Sequence, residues 1–212
     1  FNRDLRREPF EGVDNVFVYG SYSSGIAAPG NYEIKMNIGD KVYENSFFVE
    51  PDPNFDFELS EYLEQEELLL SIEKNIRNLN LAVSKARNIK LQFENQIKKM
   101  ADKKEFFDLI KMGEEIINKI NKWEQKLIQP KQKTFQDVIN FHNKLNAEFI
   151  YLHEYVNSVE PTITSGSKDR FNDLDDNYMM SMETFKNDIL GSIDEYNNEY
   201  KRRKIPAIIL QN

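Results

Sequence analysis

Residues 58–100, ELSEYLEQEELLLSIEKNIRNLNLAVSKARNIKLQFENQIKKM, decide the fold of most of the chain. Their apolar residues recur at intervals of three and four, which places them on one face of a helix. The positions are Leu59, Leu63, Leu69, Ile72, Ile76, Leu79, Val83, Ala86, Ile89, Phe93, Ile97 and Met100. The pattern predicts one long amphipathic helix that packs this face against other elements.

Three further helices are predicted after this one, from the same apolar spacing over 106–127, 135–156 and 171–200. Helix breakers and a cap bound them: Pro130, Thr134 as an N-cap, Pro161 and Pro206. Four amphipathic helices with short connections predict an antiparallel four-helix bundle over residues 54–212. The apolar tail Ala207–Leu210 is expected to dock back along the bundle or the preceding module, or else to act as a partner-binding strand.

The first 53 residues have a different pattern, which predicts a small β module. Three segments rich in β-branched and aromatic residues are expected to be strands: Asn15–Gly20 (NVFVYG), Asn31–Ile38 (NYEIKMNI) and Lys41–Val49 (KVYENSFFV). Gly39-Asp40 predicts a hairpin turn, and the Pro51–Pro53 connector ends the module. Because three strands cannot cover both faces of a sheet, we expect upstream strands to complete it, and the chain to be a fragment.

Composition excludes several classes of function. The chain has 212 residues, a net charge of −8 and a pI near 5.0, which argues against nucleic acid or an anionic membrane as the main partner. No run of about 18 apolar residues is present, so no membrane span is expected. The absence of cysteine excludes disulfides and thiolate metal sites.

No catalytic, cofactor-binding or metal-binding residues are predicted. His142 and His153 would lie about 16 Å apart on the third helix, too far to share a metal ion, and neither has the Glu-x-x-His spacing. The acidic runs at 64–67 and 173–176 lack the order of a calcium loop and are expected to be solvated helix faces. Arg202–Lys204 is expected to complement the charge at a helix C-terminus. Nucleotide-binding and serine-hydrolase motifs do not occur.

Aromatic residues in the predicted helices have two interpretations. The residues are Trp123, Phe141, Phe149, Tyr178, Phe185, Tyr196 and Tyr200. They could line a ligand groove, but their helical spacing favours core packing.

Three segments of the sequence, in their order along the chain, resemble those of a known protein family. They are Ala28–Ile34 (APGNYEI), Gly39–Lys41 (GDK) and Phe47–Pro53 (FFVEPDP), followed downstream by Phe141–Asn146 (FHNKLN). Their order resembles the C-terminal region of secreted bacterial proteins with a sortilin-type or sialidase-like β-propeller, often labelled glycosyl hydrolases. Asn54 stands where that family usually has arginine after Asp-Pro.

The resemblance implies an α+β fold in which a partial immunoglobulin-like β module, residues 1–53, precedes the four-helix bundle. It also implies an extracytoplasmic location and a non-catalytic accessory role, bracing the upstream propeller or docking another protein. Tyr32 is expected to lock the strand corner. One alternative is a carbohydrate-binding module, which requires exposed aromatic residues and would be eliminated if Tyr22, Tyr43, Phe55 and Phe57 were all buried. A second alternative is a cytosolic helical scaffold, against which the irregular apolar spacing argues.

Overall fold

A computed structural model describes residues 4–205, and the long helix predicted from the sequence is its central element. Helix α1 runs from Leu59 to Met100, about 60 Å at 1.5 Å per residue. Its first turn is closed by the Glu61 carboxylate, which accepts a hydrogen bond from the Glu58 amide at 3.0 Å. The apolar tail at Ala207–Leu210 lies outside the described residues.

The remaining helices pack around α1. They are α2 (Phe107–Leu127, after a 3₁₀ turn at Lys104–Phe106), α3 (Asp137–Asn140), α4 (Leu145–Val156), α5 (Ser165–Thr184) and α6 (Gly191–Arg202), with a π-helical segment at Phe185–Leu190 joining the last two. Helix α1 contacts α2, α4 and α5, and α6 packs on α2. The core between them includes Leu69, Ile72, Ile76, Leu79, Val83, Leu109, Ile120, Leu127, Phe149, Ile150 and Ile189.

The prediction of one continuous third helix over residues 135–156 is wrong. Its first part forms only the short α3, and the chain leaves helical geometry from Phe141 to Lys144 before α4 begins. The fully buried side chain of Gln132 explains the break, because it donates hydrogen bonds to the Phe141 carbonyl and to the Asn143 side chain. The first of these bonds satisfies the Phe141 carbonyl, which an uninterrupted helix would have paired internally.

Two of the three predicted strands are confirmed, together with their turn. Strands β1 (Gly30–Ile38) and β2 (Lys41–Val49) form an antiparallel hairpin, in register from Gly30 opposite Val49 to Ile38 opposite Lys41. Gly39 occupies the turn at φ +57°, a left-handed conformation that glycine adopts without steric cost. The predicted α+β composition is therefore confirmed, with a two-stranded sheet.

The strand predicted at Asn15–Gly20 is wrong, because this segment turns and packs on the helices instead of pairing in the sheet. Residues 4–28 form an irregular two-legged loop, which we call the clasp. Its legs are joined by a bridge between Arg6 and Ile26 and by a hydrogen bond from the Phe10 amide to the Tyr22 carbonyl at 3.0 Å. The valines that suggested a strand, Val16 and Val18, pack against the helical core.

Candidate functional site

A row of polar side chains on α1 holds the clasp. These residues recur every seven positions, which keeps them on nearly one side of the helix: Glu66, Glu73, Asn80 and Arg87. Glu66 pairs with Arg7 at 2.8 Å, Asn80 donates to the Glu11 carbonyl at 2.7 Å, and Arg87 donates to the Asp14 carbonyl. Residues 7–14, the first leg of the clasp, therefore run along α1 in the same direction as the helix.

Glu73 is the buried centre of this arrangement. One of its carboxylate oxygens accepts hydrogen bonds from the Gly25 amide at 2.6 Å and from the Arg7 guanidinium at 3.1 Å, and lies 3.1 Å from His153 Nε2. Burial alone would raise the pKa of Glu73, but the hydrogen bonds from His153, Arg7 and Gly25 and the charge of Arg7 outweigh it and lower the pKa to about 2. The side chain is therefore a carboxylate near neutral pH.

The surroundings of Glu73 and His153 favour a structural role. Both side chains are buried, and the ring of Phe10 lies edge-on to the His153 ring at 5.5 Å between centroids. A substrate would have to displace the clasp to reach either group. Only His153 lies on α4, whereas His142 lies in the non-helical segment before it. Within residues 4–205 no three histidine, aspartate or glutamate side chains are grouped to hold a metal ion.

The charged runs noted in the sequence make local bonds. Glu64 pairs with Lys168 across α1 and α5, and Asp175 accepts a hydrogen bond from Asn75 at 2.7 Å. At the end of α6, Arg202 and Arg203 both bond the Glu199 carboxylate, and Arg203 also reaches Asp108. These contacts join neighbouring helices or turns, with Glu64 and Lys168 about half exposed and the Asn75 side chain buried.

Most of the aromatic residues predicted to pack in the core do so: Trp123, Phe149, Tyr178, Phe185 and Tyr196 are all buried. Trp123 stacks on Phe185 at 4.8 Å between centroids and donates a hydrogen bond to the Ser181 carbonyl at 2.8 Å. Core packing is therefore confirmed for these five. Phe141 and Tyr200 are only partly buried.

The most distinctive surface is the hairpin. In an antiparallel pair, directly opposed residues project from the same face, and alternate residues along a strand share it. One face of this hairpin, which we call the hairpin face, consists mainly of apolar side chains: Tyr32, Ile34, Met36, Ile38, Tyr43, Phe47 and Val49. Towards the turn these side chains are about half exposed, at 48% for Ile34, 51% for Met36 and 49% for Tyr43.

The opposite face of the hairpin is largely polar. It carries Asn31, Glu33, Asn37 and Ser46, and Lys35 pairs with Glu44 across the strands at 2.7 Å. Two apolar side chains also lie on this face, Val42 and Phe48, and both are more than half exposed. Water can solvate the polar groups of this face, whereas the hairpin face gathers most of the apolar side chains of the hairpin in contact with solvent. A hairpin of two strands is marginally stable unless such a face is covered.

The root of the hairpin is fixed to the helical body. The Tyr32 hydroxyl donates to the Ala28 carbonyl at 2.6 Å, which confirms the expected lock at the strand corner. Ala28 is buried, and its amide lies 3.4 Å from the Glu66 carboxylate that also pairs with Arg7. The polar row on α1 therefore positions both the clasp and the start of β1.

Comparison with protein-family models, with curated proteins and with solved structures gives no match for this chain. Among residues 4–205, none of the helices combines the length and apolar character needed to cross a membrane. The four aromatic residues that would exclude carbohydrate binding if buried are not all buried, since Tyr43 and Phe55 are exposed.

The buried polar cluster around Glu73 is not among the features predicted above, although the sequence contains a signal for it. Glu73 falls between Ile72 and Ile76, next to the apolar face of α1, where a charged residue needs a partner. The seven-residue spacing of the polar row marks a line along which another segment binds. Nothing in the local pattern shows that this segment is the clasp.

Proposed function

We propose that this chain is a non-catalytic docking region that uses the hairpin face to bind an apolar face of another β-sheet. The observation that carries the proposal is the line of half-exposed apolar side chains on one face of a hairpin whose other face is mainly polar. Each such side chain contributes about 1.5–3 kcal/mol when fully buried, so covering several of them supports a stable contact.

A β-sheet fits this surface better than a helix does. The nine-residue strands give an extended apolar strip about 30 Å long, and stacked sheets pack face to face along such strips. The polar outer face suits the solvent side of a two-layered sandwich. In this proposal the hairpin supplies two strands of an immunoglobulin-like module, and the partner sheet supplies the opposite layer.

The resemblance to propeller-associated proteins indicates where this docking would take place and what kind of partner would be bound. In that setting the helices form a four-helix bundle, the region lies outside the cytoplasm, and it braces a propeller or docks a second protein. The enclosure of Glu73 beneath the clasp agrees with an accessory role.

Site-specific photo-crosslinking tests the proposal. A photoreactive benzoylphenylalanine replaces Met36 on the hairpin face, and the matched control replaces Asn37 on the polar face, one residue away. After illumination in extracts of the native source, cross-linked peptides are identified by mass spectrometry. We expect position 36 to cross-link to strands of a β-domain and position 37 to give at least ten-fold less product. Equal yields from the two positions, or products confined to helical proteins, would contradict the proposal.

A further inference from the structure

A second surface, distinct from the hairpin, carries a cluster of exposed aromatic rings. Phe17 and Tyr19, near the tip of the clasp, both contact Phe135 edge-to-face, with centroids 5.6 and 5.2 Å apart. Tyr19 also lies nearly parallel to Tyr151 of α4, at 6.2 Å and 25° between ring planes. The accessible fractions are 44% for Tyr19, 67% for Phe135 and 38% for Tyr151, so these rings are not core residues.

The backbone around the tyrosines is held firmly. Gly20, next to Tyr19, has φ +149°, and a Cβ atom there would lie 2.6 Å from the Ile150 side chain, so the clasp must lie directly on α4. The Ser21 amide donates to the Glu154 carboxylate at 2.7 Å. Tyr19 is thus fixed beside Tyr151 before any ligand binds, which lowers the entropic cost of binding.

The loop that carries Phe135 is fixed in the same way. Asp137 accepts hydrogen bonds from the amides of Lys133 and Thr134 at 2.7 and 2.8 Å, and Lys133 reaches the Asn15 carbonyl at 3.4 Å. Three separate parts of the chain, the clasp, this loop and α4, therefore present a preformed platform of rings.

The charged groups beside the platform indicate what it binds. Glu154, Asp137 and Lys133 all bond to backbone groups of the clasp or the loop, so they hold the platform together instead of facing an ionic ligand. The net charge of −8 also opposes stacking of nucleic-acid bases, which needs a basic groove for the phosphates. A neutral ligand is favoured.

We propose that the aromatic platform of Tyr19, Phe135 and Tyr151 binds a neutral carbohydrate. A sugar ring has a C–H face that packs on an aromatic ring and hydroxyl groups at its rim that pair with tyrosine hydroxyls and water. Tyrosine, with an apolar ring and a polar tip, matches this combination. Tyr155, one turn after Tyr151 and 64% exposed, extends the platform for a chain of several sugars.

Affinity electrophoresis in gels that contain soluble β-glucan, xylan, galactan or mannan tests this proposal. We expect the chain to be retarded by at least one of these polysaccharides, and Tyr19→Ala and Tyr151→Ala each to weaken binding at least ten-fold. Tyr19→Phe keeps the ring and is expected to retain most of the binding. Phe107→Ala, an aromatic residue on α2 that is 69% exposed, is the matched control and should bind as the unchanged chain does.

Three results would overturn the proposal: no retardation by any of the four polysaccharides, equal retardation of the alanine variants, or binding of a polyproline peptide in place of every polysaccharide. Circular dichroism melts of each variant show whether lost binding reflects unfolding. Because none of the platform residues lies on the hairpin, a negative result here leaves the docking proposal separately testable.

Discussion

Glu73 joins three parts of the chain through one carboxylate: α1, which carries it, the clasp through Arg7 and Gly25, and α4 through His153. Burying a carboxylate is costly unless it is paired, and here the partners come from both legs of the clasp and from α4. The side chain therefore acts as a fixed point that sets where the clasp lies on the helices. The hairpin starts directly after the clasp, so its position depends on this contact as well.

Substitution of Glu73 by glutamine tests how much this side chain contributes to the free energy of unfolding. The amide keeps the shape but loses the charge, so Arg7 keeps only the more exposed Glu66 as an ionic partner and the buried hydrogen bonds to residue 73 weaken. We expect the free energy of unfolding to fall by about 3 kcal/mol. Urea denaturation followed by circular dichroism measures the change. Glu67→Gln, an exposed substitution two turns earlier on α1, is the control and should stay within about 0.5 kcal/mol. Equal losses of unfolding free energy in the two variants would show that Glu73 contributes no more to stability than an exposed glutamate does.

The pH dependence of stability follows from the same group. The pKa of Glu73 is lowered from 4.5 to about 2 in the folded chain, so folding favours its charged form. The resulting stability is fully present above the ordinary pKa and is lost as the pH falls from 4.5 towards 2, by about 3 kcal/mol in all. We expect the stability difference between the unchanged chain and Glu73→Gln to shrink over that interval. A constant difference from pH 6 to pH 2 would contradict the assignment.

At the scale of elements, the hairpin is held by its own pairing and turn, because its contacts with the helices are few. Gly39→Ala places a side chain at φ +57° and is expected to destabilise the hairpin by about 1 kcal/mol. Amide hydrogen exchange should show faster exchange in β1 and β2 and unchanged exchange in α1.

Gly191→Ala is the matched control for that substitution. Gly191 has a helical φ of −58°, and an added Cβ would meet nothing within 4 Å. Here alanine should raise overall stability by about 0.5–1 kcal/mol, because it lowers the entropy of the unfolded chain. If Gly39→Ala slowed exchange in the hairpin, the left-handed turn would not be the constraint described here.

Elements that follow from a pattern within their own segment of the sequence are predicted correctly. The long α1 follows from its apolar spacing, and the hairpin follows from two alternating segments around Gly39-Asp40. The elements that were missed depend on distant partners. Val16 and Val18 favour a strand locally but pack on the helices, and Gln132 interrupts the third helix through bonds that span 9 to 11 residues.

At the scale of the whole molecule, a helical body and a projecting hairpin are joined by the clasp and by the connector at 50–58. Replacing residues 31–48 with a short Gly-Ser linker removes the hairpin but keeps the clasp and all the helices. We expect the melting temperature of the helical body to change by less than about 3 °C, since the hairpin packs mainly on itself. A large drop, measured by circular dichroism at 222 nm, would mean that the hairpin stabilises the body.

The candidate sites were only partly visible in the sequence. The two strands of the hairpin face were predicted, but its exposure was not, because alternation shows which residues share a face and not whether that face is covered. The aromatic platform was hidden because Tyr19, Phe135 and Tyr151 are far apart in the chain and meet only when the clasp lies on α4. Its residues differ from those first considered for carbohydrate binding.

The central claim is that the hairpin face is a docking surface, and hydrogen exchange of residues 30–49 tests it most directly. Exchange is measured in the chain alone and in the presence of the partner identified by cross-linking at position 36. We predict at least ten-fold slower exchange in β1 and β2 when the partner is bound, with unchanged exchange in α5. Unchanged exchange in the hairpin, or protection confined to the helices, would contradict the claim.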